Sequence, residues 1–158
     1  MPKVLVVYYS RTGNTKKMAE LITEGVQQTG VDVDLKKIAD VNVDDLVGYD
    51  AVVMGSPTYY GGPAHQIRKL IDESVKFHGR LAGKIGGSFT SSANIGGGNE
   101  TTILNILNAW LVHGMVVIGI SSGDHYGPVS INSVDDRSSQ ICKDYGSKIG
   151  NLAKKLFP

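Results

Sequence analysis

A single cysteine, Cys142, is all the thiol chemistry this chain has, which rules out an internal disulfide and a cysteine-based zinc knuckle. That usage is compatible with a reducing cytoplasm, the expected location. Long apolar runs are missing too. The stretch Val4 to Tyr9 is too short for a signal-peptide core or a membrane span, so an unexported protein with no membrane partner is expected. Neither sign of charge dominates: 16 basic and 15 acidic residues are spread along 158 positions for a formal charge of +1. Without a basic stripe there is no field to hold a polyanion, and no nucleic-acid partner is expected. No repeat, low-complexity tract or linker interrupts the chain, and its length suits one domain over residues 1–158.

What is present alternates. Short continuous apolar runs at Val4 to Tyr9, Ala51 to Gly55 and Met115 to Ile120 lack in-out alternation and predict strands buried on both faces. Two weaker candidates are Val31 to Lys36, which alternates like an edge strand, and Lys84 to Ser91, where Gly86 and Gly87 suggest close backbone packing. Between them, three-to-four spacing predicts helices carrying Met18, Leu21, Ile22 and Val26; Ile67, Leu70, Ile71 and Val75; Ile103, Ile106, Leu107 and Trp110; and Ile141, Tyr145, Ile149, Leu152 and Leu156. Pro63 suits the first turn of the second of these, and the acidic turn Val43 to Leu46 fills the remaining crossover. Five strands alternating with helices imply a parallel sheet covered on both faces, with ligands beyond the carboxyl ends of its strands.

The loop after the first strand reads Ser10-Arg11-Thr12-Gly13-Asn14-Thr15 and runs into a helix. Its amides, three hydroxyls and helix N-terminus converge as a phosphate requires, with Gly13 letting the backbone bend toward the anion. The competing reading is an ordinary N-cap. Two other anion loops are excluded. The segment Gly79 to Lys84 has one residue too few for a P-loop, and no Gly-x-Gly-x-x-Gly follows the first strand.

Two further loops occupy the expected strand ends. Pro57-Thr58-Tyr59-Tyr60-Gly61, continuing to Gly62-Pro63, combines stiff prolines, permissive glycines and paired aromatics, a set suited to gripping a flat heteroaromatic ring. Ser91-Ser92-Ala93-Asn94-Ile95-Gly96-Gly97-Gly98 carries three consecutive glycines, costly in conformational entropy and therefore a sign of close backbone approach. The bland alternatives are half-buried tyrosines and a plain surface loop.

The Ser-x-Thr-Gly-x-Thr loop resembles that of flavodoxins. Together with Pro57 to Gly61, Ser91-Ser92 through Gly96 to Gly98, and His113-Gly114-Met115, it resembles the FMN-dependent NAD(P)H:quinone oxidoreductases of flavodoxin fold, over residues 3 to about 128. That resemblance implies a flavodoxin-like, doubly wound α/β fold with a five-stranded parallel sheet in the order 2-1-3-4-5. It implies FMN as cofactor, NADH or NADPH as electron donor and a small quinone as substrate, with hydride transfer through flavin N5. Ser10 to Thr15 would hold the phosphate, and Thr58, Tyr59 and Tyr60 would line the ring. Ser92 to Gly98 would meet its polar edge and the ribityl chain. His113 matches the family's flavin-proximal histidine and would shape the reactive face with both tyrosines. Tyr126-Gly127 matches a later family loop.

The chain departs from that family in three places: Thr12 replaces an aromatic residue, Phe77-His78 stands where a tryptophan is common, and the segment after the fifth strand is short. A dimer or tetramer is therefore left open. The alternative reading is a flavodoxin-type carrier of electrons to a redox protein partner, although such carriers are usually strongly acidic and this chain is balanced. A receiver module would need carboxylates at the strand ends, where Tyr8-Tyr9-Ser10 and Met54-Gly55-Ser56 stand instead. Gly119-Ile120-Ser121-Ser122-Gly123 spells Gly-x-Ser-x-Gly, but a nucleophile elbow must enter a helix and Asp124 to Pro128 extends a loop. No metal site is expected. Trp110 and Cys142 read as core.

Overall fold

Val4-Leu5-Val6-Val7 offers nothing polar on either side of its pleat, so it is stable as a strand only where both faces are covered. In the computed structural model, which describes residues 1–158, it lies within β1 (Lys3–Tyr8) near the middle of the sheet. The chain continues through α1 (Asn14–Gln27), β2 (Asp32–Lys37), two 3-10 turns (Ile38–Asp40 and Val43–Gly48), β3 (Ala51–Tyr59), β4 (Gly62–Pro63) and α2 (His65–Glu73). A 3-10 turn (Ser74–Phe77), β5 (Ile85–Ser92), α3 (Asn99–Val112), β6 (Val116–Val117), β7 (Val129–Ile131) and α4 (Asp136–Leu156) complete it.

The order across the sheet is β2-β1-β3-β5-β6, all parallel, with β4 antiparallel to β3. This is the expected doubly wound arrangement. Along β1 the residues divide by parity: Val4, Val6 and Tyr8 join the core under α1 and α4, while Leu5 and Val7 join the core under α2 and α3. Gly86 and Gly87 behave as read. Side chains there would collide with Trp110 on one face and with the Tyr145 hydroxyl on the other, so both glycines admit large aromatics against the strand.

Three details differ from the sequence reading. The fifth sheet position is shared: β6 pairs with Ile85 and Gly86 of β5, and β7 pairs with Thr90 to Ser92, with residues 118–128 looping out between them. Ile118 and Ile120 leave the ladder to pack on the α1/α4 core, and the Ile120 amide closes the loop on the His125 carbonyl (3.0 Å). Pro63 pairs with Thr58 in the β3–β4 hairpin instead of opening α2, a place where its missing N–H costs little. Val75 is exposed and Phe77 buried, because the chain tightens to three residues per turn after Glu73 and the inward face shifts.

Candidate functional site

The decisive geometry lies where β1 enters α1. Gly13 takes a left-handed conformation (φ 107°) at the N-cap and no side chain caps the helix, so the competing reading of an ordinary Ser, Thr or Asn cap is not what this loop builds. The first intrahelical bond runs from the Lys17 amide to the Gly13 carbonyl (3.0 Å), leaving the amides of Asn14, Thr15 and Lys16 without a helical acceptor. Ser10 Oγ accepts the Gly13 amide (3.1 Å) and folds the loop back on itself. By contrast α4 carries a complete capping box between Asp135 and Ser138.

Asn14 and Thr15 border a cavity of about 360 Å³. Ser10, Arg11, Thr12, Asn14 and Thr15 form one wall; Pro57, Thr58 and Tyr59 form a second; Ser91, Ser92 and Ala93 form the third. The three expected loops therefore meet in one place. Thr15 is buried, its hydroxyl 2.8 Å from that of Ser91, so the first and third walls touch. Arg11 is the only charged side chain on the lining and no carboxylate faces the space, a balance that favours an anion. A larger groove of about 910 Å³ runs along α2, and the start of that helix borders it without a side-chain cap, but Asp44, Asp45 and Glu73 line it beside Lys69 and Lys76, so unlike the smaller cavity it sets carboxylates against an anion.

The second loop is a two-residue hairpin. Tyr60 (φ 51°) and Gly61 (φ 75°) are both left-handed, the signature of a type I′ turn. Tyr59 lines the cavity and Tyr60 stands fully in solvent beside it. The triple glycine's close approach is to this turn: a side chain at Gly98 would lie 2.4 Å from the Gly61 Cα, and Thr101 Oγ1 donates to the Gly61 carbonyl (2.7 Å). Gly98 thus packs against the hairpin, and Asn94, Ile95, Gly96, Gly97 and Gly98 do not line the cavity themselves. Ile95 and Tyr126 share a neighbouring cavity of about 300 Å³.

His113 is not brought to this site. It closes α3, whose 14 residues rise roughly 21 Å away from the loops at 1.5 Å per residue. There it is buried, with Nε2 2.7 Å from Ser74 Oγ. Because that hydroxyl donates to the Ile71 carbonyl (2.6 Å), Nε2 carries the proton and donates to Ser74, leaving Nδ1 unpartnered. Burial first, and His78 second, hold the imidazole below its ordinary value of 6.5.

One lining residue was missed. Asn132, just after β7, completes the cavity, and its carbonyl accepts the Asn14 side-chain amide (2.6 Å). No pattern flags a lone Asn in a loop; only the strand pairing brings it here. The remaining motifs fall elsewhere. Lys84 donates to the Val47 and Tyr49 carbonyls beneath the sheet, and Ser121 is exposed with no helix following it. Trp110 donates to the Gly87 carbonyl (3.1 Å) within the core, while burial pushes the Cys142 thiol up to about 12. No group of three or more His, Cys, Asp or Glu could hold a metal ion, and no helix is long and apolar enough to cross a membrane.

The profile of the flavodoxin domain matches residues 5–95, which carry the first two walls and Ser91 to Ala93 of the third. The chain belongs to the flavodoxin family. A flavodoxin from Clostridium saccharobutylicum is 34% identical over 161 aligned positions, covering 98% of this chain and 99% of the relative. An NAD(P)H dehydrogenase (quinone) from Sinorhizobium fredii is also 34% identical, over 197 aligned positions and 99% of each chain. Among solved structures, a WrbA-like flavodoxin from Agrobacterium tumefaciens superposes with a TM-score of 0.84 at 28% identity, covering 99% of both chains.

Proposed function

We propose that this flavodoxin-family chain binds FMN in the 360 Å³ cavity and works as an NAD(P)H:quinone oxidoreductase. The observation carrying this reading is the uncapped start of α1 opening into a carboxylate-free cavity walled by the two ring-gripping loops. The amides of Asn14 to Lys16 and the hydroxyls of Ser10, Thr12 and Thr15 hold the phosphate, with Arg11 adding charge. Tyr59 and Tyr60 cover the ring, and the backbone of Ser92 and Ala93 meets its polar edge. Thr58 donates inward to Thr90, whose own hydroxyl donates to the Ser56 carbonyl (2.6 Å), so the second wall is rigid and keeps an acceptor toward the ligand.

FMN supplies two-electron chemistry at N5. The net reaction takes NAD(P)H, a quinone and one proton to NAD(P)⁺ and the hydroquinone. No side chain on the lining is a carboxylic acid or an imidazole, so the solvent-open rim supplies the proton and the chain's work is binding and orientation. The names of the Sinorhizobium relative and others like it support the donor and the quinone. A second reading, an electron carrier serving a protein partner, is favoured by length: the alignment with the Clostridium flavodoxin spans 161 positions, against 197 with the quinone dehydrogenase.

The test is reconstitution with FMN, an absorbance spectrum after dialysis, and NAD(P)H oxidation with benzoquinone. A bound flavin with steady turnover supports the reductase. Bound flavin with negligible turnover overturns it in favour of the carrier, and no bound flavin overturns both.

A further inference from the structure

Besides Tyr60, one non-glycine residue holds a positive φ: Asn132, at 67°. It sits where three strand ends converge. Its amide donates to the Ser92 carbonyl (2.8 Å) in the third wall, and its carbonyl accepts from Asn14 Nδ2 (2.6 Å) at the first residue of α1. In an extended conformation the same residue would turn that carbonyl away from Asn14 while the ladder bond to Ser92 persisted. Asn is among the few residues that tolerate the left-handed region.

The short strand leading to Asn132 is anchored at its other end as well. Asp124 accepts the Val129 amide (2.8 Å), Arg137 Nη2 donates to the Val129 carbonyl (2.7 Å), and Arg137 Nη1 pairs with Asp124 (3.1 Å). Residues 129 to 132 therefore form a strut, clamped by an ion pair at one end and pressed on the phosphate loop at the other.

We propose that Asn132 is a positioning residue of the anion site, acting through its left-handed backbone: its carbonyl fixes Asn14, and with it the unpaired amides at the start of α1. This rests on the FMN reading above and goes beyond it in assigning the role to the backbone of a residue outside every motif.

The experiment measures FMN dissociation constants by fluorescence quenching for the full chain and four variants (Asn132→Gly, Asn132→Val, Asn14→Ala and the Asn14→Ala/Asn132→Val double), with melting temperatures alongside. Asn132→Gly keeps the left-handed conformation and the carbonyl, so its affinity stays within about twofold of wild type. Asn132→Val pays the steric cost of that conformation or abandons it, and FMN binding weakens by roughly five- to thirty-fold. In an Asn14→Ala background, Asn132→Val adds less than about twofold, because the group it acts through is gone. A Gly variant as weak as Val shows a side-chain role and overturns the proposal. So does a Val variant that melts earlier but binds FMN as wild type does, which is structural support alone. Additive losses in the double variant overturn it too. Failure of the wild-type chain to take up FMN removes the flavin reading and this inference together, whereas normal uptake by wild type and all variants removes this inference only.

Discussion

Tyr60 sits at the first central position of a type I′ turn, where Asn, Asp and Gly are the comfortable residues. Its ring makes no use of the fold, being wholly exposed, and the proposed flavin gives it something to cover. Tyr60→Asn is expected to raise stability by about 1 kcal/mol, or roughly 2–4 °C in melting temperature. The same change should weaken FMN binding about three- to tenfold through lost stacking. Greater stability with undiminished affinity would show that the ring has no ligand to cover. Thr15→Val deletes a buried hydroxyl beside the uncapped amides, and titration should show affinity falling by roughly tenfold or more. His113 gives a pH signature. Its folded-state pKa lies below 6.5, so the unfolded chain binds the extra proton, and stability present above pH 6.5 is lost as pH falls below it. Denaturant titrations at a series of pH values should show that decline in wild type and a shallower one in His113→Gln. At this scale the phosphate loop was legible because hydroxyls, Gly and Asn at fixed spacing have one joint use. Asn132 was not, since its role comes from pairing across the sheet. The resemblance implies a flavin-proximal His113, whereas α3 begins beside the loops and carries His113 to its far end, 14 residues away.

Elements were legible where a face is covered throughout. The runs in β1 and β3 and the stripes of all four helices locate themselves, because two-sided burial and a 3.6-residue period leave few other arrangements. The fifth strand misled because Ile118 and Ile120 are apolar for a different reason, packing on α4 while their backbone leaves the ladder. The same reasoning gives a test at β5. An alanine at Gly86 would place its Cβ 2.7 Å from the Trp110 ring, and a fully buried indole bonded to the next carbonyl has nowhere to go. Gly86→Ala should cost about 1–3 kcal/mol and lower the melting temperature by several degrees. The Trp110 emission should shift as its packing loosens. An unchanged melting curve would mean that α3 retreats freely from the sheet.

For the molecule as a whole, ligand binding and folding are one equilibrium, because the cavity walls come from β1, β3, β5 and β7 and exist only when all four are assembled. FMN at a hundred times its dissociation constant should therefore add about 2.7 kcal/mol to the folded state. Scanning calorimetry with increasing FMN would show the midpoint climbing; a midpoint indifferent to FMN would place the ligand elsewhere. The divided fifth strand bears on a different matter, the fate of the sheet's margins. An open sheet ends in rows of unpaired amides and carbonyls, and a long straight row invites another chain to dock against it. Here one margin, β2, carries Asp32, Asp34, Lys36 and Lys37, so a second copy brought alongside would meet salt-bearing side chains. The other margin offers only two residues, then an eleven-residue detour ending in Pro128, then three more. Charge along one margin and interruption of the other deny edge-on growth a continuous template, so the same sheet that carries the strand-end loops resists building fibres.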